Sequence, residues 1–109
     1  MFLANRYKSD DAFLGIGLLN EPSGTTDDNV LRSYYVKAHD AIRAAGNNCV
    51  LTHAPRLWEQ NPQHYAEFTP PPHYSNFWHE WHKYVIWGYE GQNEDQIMYG
   101  AVDGIRNEI

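Results

Sequence analysis

Between positions 13 and 22 the chain runs Phe13-Leu14-Gly15-Ile16-Gly17-Leu18-Leu19 and stops on Asn20-Glu21-Pro22. Apolar residues and glycines without alternation are the pattern of a strand covered on both faces, as in a parallel sheet or barrel. Pro22 ends the run, because it brings no N–H to a ladder and restricts the residue before it to extended backbone. Glu21 is therefore expected in extended geometry at a strand's carboxyl end, where open α/β sheets and barrels gather their active sites.

The segments on either side fit such a sheet. Phe2, Leu3 and Tyr7 have helical spacing over residues 2–8, and Ser9-Asp10-Asp11 is a polar break before the strand. After Pro22, Thr25 and Asp28 stand at capping-box spacing. The stripe Val30, Leu31, Tyr34, Tyr35, Ala38, Ala41, Ile42, Ala45 then predicts a helix over 27–45, with Gly46 and the asparagines behind it as a C-cap. Cys49 to His53 is a short apolar strand closed by Pro55, so strand, helix and strand form a βαβ unit with parallel strands. Residues 56–72 make an irregular connection with Trp58, His64, Tyr65 and Phe68, of the kind that often binds ligands. A third strand is expected over 74–84, where alternation would put Trp78, Glu80, His82 and Tyr84 on one face. Ile97, Ala101 and Ile105 mark a final helix over 94–105, weakened by Gly100 and Gly104.

Composition removes several function classes. A formal charge of -6 with scattered lysines and arginines gives no footprint for nucleic acid, and no stretch is long enough to span a membrane. The amino terminus lacks the basic start and long apolar centre of a signal peptide. A lone Cys49 makes no intrachain disulfide and is expected to pack in its strand as a small apolar residue. His79, Glu80 and His82 do not have the His-Glu-x-x-His zinc spacing, so neither metal nor cofactor is expected. His39 and His64 are expected to face solvent. With 4 Trp, 8 Tyr and 4 Phe, aromatic faces remain for stacking on sugars after a core is built, and Trp58 is the best placed.

Gly15-Ile16-Gly17-Leu18-Leu19-Asn20-Glu21-Pro22, then His53 at the next strand end, then His82-Lys83-Tyr84, resembles the central part of a glycoside hydrolase of family 5. The exo-β-1,3-glucanase-like branch is the most similar. The resemblance implies an α/β fold, a partial (β/α)₈ TIM barrel running from the helix before the fourth strand to the helix after the sixth. A complete barrel takes about 250 residues, so 109 residues are expected to be one fragment of a single catalytic barrel.

It also implies roles. Glu21 would be the general acid/base of a retaining hydrolase, protonating the leaving glycosidic oxygen and later deprotonating water. Asn20 would bond the sugar 2-hydroxyl, His82 would orient substrate and catalytic groups, and Tyr84 would bond the nucleophile. His53, Trp58 and Trp78 would contact the substrate, a β-glucan or oligosaccharide, though Ala54 stands where the family often has an acid. The nucleophile, a Glu at the seventh strand end about 5 Å from the acid/base, has no counterpart in Glu80, Glu90 or Glu108, so the isolated chain is expected to be inactive. The alternatives are a non-catalytic carbohydrate-binding remnant and a fragment without a function of its own. Such enzymes are extracellular or cell-wall associated.

Overall fold

The computed structural model describes residues 1–59, 69–82, 84, 85 and 87–108. The expectations for His64, Tyr65 and Phe68, and those for the side chains of Ile105 and Glu108, lie outside the described residues. Among the described residues the elements are α1 (Phe2–Arg6), β1 (Gly15–Gly17), α2 (Asp28–Ala44), β2 (Val50–His53), β3 (Phe77–His79) and α3 (Glu94–Glu108). The strands form one parallel sheet in the order β1-β2-β3. Parallel strands joined through α2 are the βαβ unit that the apolar runs predict, and a three-stranded parallel sheet is a partial α/β fold. No described helix is long and apolar enough to cross a membrane.

α2 is fixed at both ends by local chemistry. Asp27 is its N-cap, accepting a hydrogen bond from the Val30 N–H at 3.0 Å, so the cap is Asp27 rather than the Thr25 of the predicted box. At the other end Gly46 has φ of +80° and donates to the Arg43 carbonyl at 2.9 Å, while the Asn47 N–H reaches the Ile42 carbonyl at 3.3 Å. That pair of bonds is a Schellman motif, which needs a left-handed residue where Gly46 stands. The start of α3 carries a reciprocal box: the Asn93 N–H donates to Gln96 Oε1 at 3.0 Å and the Gln96 N–H to Asn93 Oδ1 at 2.9 Å.

The core lies between α2 and the sheet. Leu31, Tyr35 and Ile42 of α2 pack with Ala4, Leu51 and Phe77, flanked by Ile16, Leu18, Cys49 and Tyr74. Cys49 is half-buried just ahead of β2 rather than inside it. The buried Asn47 ties α1 to the sheet, donating to the Ala4 carbonyl and accepting from the Cys49 N–H, both at 2.9 Å. His39, expected at the surface, is only 3% exposed. Its ring lies 4.9 Å from that of Tyr74 and 5.3 Å from that of Phe77. Those two side chains come from the segment that precedes and opens β3, so helical spacing alone did not show that α2 would be covered there.

Two strands are shorter than their apolar runs. β1 keeps three residues and is an edge of the sheet, so Leu14 and Leu19 are exposed rather than covered. β3 begins only at Phe77 because Asn76, with φ of +52°, breaks the extended run; Asn is among the few residues that tolerate that region. The Asn76 turn is clamped by Arg43, which donates to the carbonyls of Asn47, Ser75 and Asn76 at 2.9, 3.1 and 3.3 Å. Arg43→Met is expected to cost about 1.5–3 kcal/mol, since a charged donor is lost from three carbonyls, and urea denaturation with an unchanged m-value checks it.

Candidate active site

All three strands run the same way, so their carboxyl ends lie on one side of the sheet. From these ends come Asn20 and Glu21 after β1, His53 at the end of β2, and Glu80, His82 and Tyr84 after β3. Three cross-connections hold the ends together. The Leu18 N–H donates to the Thr52 carbonyl at 2.9 Å, the Glu80 N–H to the His53 carbonyl at 2.8 Å, and the Leu57 N–H to the Pro22 carbonyl at 2.8 Å.

Glu21 is the centre of this cluster. His82 Nδ1 lies 3.0 Å from its Oε1, and the Tyr84 hydroxyl donates to the same oxygen. The carboxylate side chain is 28% exposed, open enough for a ligand to reach. Its backbone is not extended as Pro22 predicts, for φ is +43°. An L-residue other than glycine pays about 1–2 kcal/mol in that region. Non-local bonds maintain it: Leu57 anchors the carbonyl of Pro22, and two donors from beyond β3 hold the carboxylate. Outliers of this kind cluster where a side chain must be aimed.

His82 also reaches a second carboxylate. Its Nε2 lies 2.7 Å from Glu80 Oε1, and the Thr52 hydroxyl donates to Glu80 Oε2 at 2.6 Å. Both hydrogen bonds raise the imidazole pKa above its ordinary value, the one to Glu21 more than the one to Glu80. The bond from Thr52 is the larger cause holding the Glu80 carboxyl below its usual range, followed by the bond from His82. The bond that the structure shows from Tyr84 goes to Glu21. The sequence placed Glu80 on the same strand face as His82, but not in contact with it. Thr52 gave no signal beyond its place next to the strand end.

His53 takes a different position. Period two along β2 puts His53 on the same side as Leu51, facing α2, and puts Thr52 on the other. His53 is 1% exposed, its ring 5.3 Å from Tyr35, 4.5 Å from Phe77 and 5.2 Å from His79. The structure therefore places it in the helix-facing layer and not on a cleft wall. Desolvation lowers its pKa to about 4, with His79 adding to the effect and Glu80 opposing it. His79 is lowered by burial too.

The aromatic side chains divide likewise. Trp58 is 74% exposed, 6.3 Å from Trp87, which lies 5.8 Å from Tyr84. Trp58 lies against Gly24, where a Cβ would meet its Cδ1 at 2.1 Å, so only glycine leaves the indole in place. Together Trp58, Trp87 and Tyr84 extend the Glu21 cluster sideways as an open aromatic ledge. Trp78, paired in register with Thr52, lies on the Thr52 side of the sheet and is exposed. Asn20 is exposed beside Glu21. A separate group, His39, Asp40 and His73, has donor atoms within 4.8 Å of one another on α2 and the loop before β3.

Over residues 1–108 the chain matches the family model described as Cellulase (glycosyl hydrolase family 5). No curated protein and no solved structure matches it.

Proposed function

Because the chain belongs to glycosyl hydrolase family 5, whose members are (β/α)₈ barrels that hydrolyse carbohydrates, we propose that Glu21 is the general acid/base of a retaining β-glucan hydrolase acting on β-1,3 linkages. What supports this above all is the convergence of His82 Nδ1 and the Tyr84 hydroxyl on Glu21 Oε1 at the carboxyl ends of a parallel sheet. Both donors occupy one oxygen, which leaves Oε2 to meet a glycosidic oxygen and then a water. Asn20, adjacent and exposed, is the residue for the sugar 2-hydroxyl, and the Trp58–Trp87 pair supplies flat apolar faces for a pyranose ring.

A retaining reaction needs a second carboxylate about 5–5.5 Å from the first. Glu80 does not suit that post, since both of its oxygens are engaged by Thr52 and His82. We propose that the nucleophile is the Glu that the family carries at the end of its seventh strand, beyond the three strands among the described residues. The purified chain is then expected to release no reducing sugar from a soluble β-1,3-glucan or an aryl β-glucoside, while a β-1,3-gluco-oligosaccharide quenches tryptophan fluorescence and Trp58→Ala removes the quench. Turnover that Glu21→Gln abolishes would overturn the absence of a nucleophile; no quench at millimolar oligosaccharide would remove the substrate site. A second reading, a carbohydrate-binding remnant, is favoured only by the exposed aromatic pair. It requires that glucan binding persist without turnover when the nucleophile-bearing segment is supplied.

A further inference from the structure

We propose that Glu80, seated by Thr52, is a positioning residue that holds His82 in the orientation and doubly protonated form in which it grips Glu21. It rests on the reading of Glu21 as the acid/base for its place in the reaction, but not for its geometry.

Four links join the three strand ends in one line. Thr52 Oγ1–H donates to Glu80 Oε2 at 2.6 Å, His82 Nε2 lies 2.7 Å from Glu80 Oε1, His82 Nδ1 lies 3.0 Å from Glu21 Oε1, and Tyr84 O–H donates to Glu21 Oε1. A neutral imidazole has one N–H and one lone pair, so in this place one nitrogen would face a carboxylate lone pair to lone pair. With carboxylates on both sides, the ring is satisfied only as the imidazolium, with each nitrogen donating. Charge-assisted bonds of this kind are about twice as strong as neutral ones, and two of them on opposite edges of the ring fix its plane.

Glu80 is itself fixed. Its N–H continues the ladder onto the His53 carbonyl at 2.8 Å, and its carboxylate accepts from the Thr52 hydroxyl at 2.6 Å. Among the described residues, the charged and titratable groups bonded within this cluster include Glu21 from β1's end, Glu80 from β3's end, and Tyr84, which bonds Glu21. On the helix-facing side of the sheet, His53 acts on Glu80 through its charge, with His79 against His53. Since the raised pKa of His82 draws on both carboxylates, removing Glu80 takes away the acceptor at Nε2 and part of what holds the proton on the ring.

The test is a titration of the ¹⁵N-labelled ring of His82 in the chain without substrate, so that it holds or fails independently of glucan binding. Wild type is expected to show both ring nitrogens protonated and a midpoint above the ordinary imidazole value of about 6.5. Glu80→Gln should bring the midpoint down toward that value and release the Nε2 signal, and Glu80→Asp should restore part of the shift. Thr52→Val keeps both carboxylates and should lower the midpoint in the same direction by less, so the seat is tested even where Glu80→Gln does not fold. A His82 midpoint that stays at its wild-type value in Glu80→Gln, while Glu21→Gln lowers it, would overturn the proposal, as would a wild-type ring protonated at only one nitrogen at pH 6.

Discussion

Acidification from pH 7 to pH 4 is expected to destabilise the chain by on the order of 3 kcal/mol through His53 alone, at about 1.4 kcal/mol per pH unit of displaced titration. The ring is buried among Tyr35, Phe77 and His79 and titrates at about 4 instead of 6.5. In the unfolded chain it takes up its proton as the pH falls below 6.5; in the folded chain it does so only near 4. The stability is therefore complete above 6.5, falls between 6.5 and 4, and is gone below 4. His79, lowered by burial, adds to the same slope. Glu80, held below the usual carboxylate range, adds a further loss at the acid end. His82 works in the opposite direction: its raised titration stabilises fully below 6.5 and is lost as the pH rises through its folded value. Urea midpoints measured every half unit between pH 7.5 and 4.5 should fall steeply in wild type and much less in His53→Gln. Equal slopes in the two proteins would show that His53 does not titrate as a buried group.

Truncating Leu51 should cost about 2–5 kcal/mol. Leu51 is in the central strand, in register with Ile16 on one side and Phe77 on the other, and is fully buried against α2. Neighbouring strands cannot collapse into the space, because their spacing is fixed by the ladder on both edges of β2. Domains of this size are stable by about 5–15 kcal/mol, so Leu51→Ala removes a large share of the total. Leu51→Met, which keeps the volume, should cost less than about 1.5 kcal/mol. A fall in the urea midpoint at constant m-value would register the effect; a loss under about 1 kcal/mol for the alanine variant would mean that the core does not centre on this strand.

Much of the architecture was legible in the sequence because it is set by local rules. The apolar run up to Leu19, the stripe on α2 and the run from Cys49 gave strand, helix and parallel strand in the right order, and Gly46 marked the helix end. The parts that were not legible depend on partners far away in the chain. His39 is buried by Tyr74 and Phe77, which lie more than thirty residues downstream. His53 turns away from the site because of its parity with Leu51 along β2, a property of where pairing begins rather than of residue type. Glu21, His82 and Tyr84 do meet, as their strand-end positions suggested. What Glu80 touches follows from where β3 stops, at His79, and no period in the sequence gives that end point.

The left-handed backbone at Glu21 has a consequence for anyone who alters this chain. At φ of +43° a glycine or an asparagine fits better than glutamate, so a variant library sorted for folding yield alone will enrich such replacements there. The position most worth keeping is among those that selection for robustness will discard first, and thermostabilised descendants should be sequenced at residue 21 before they are compared for any other property.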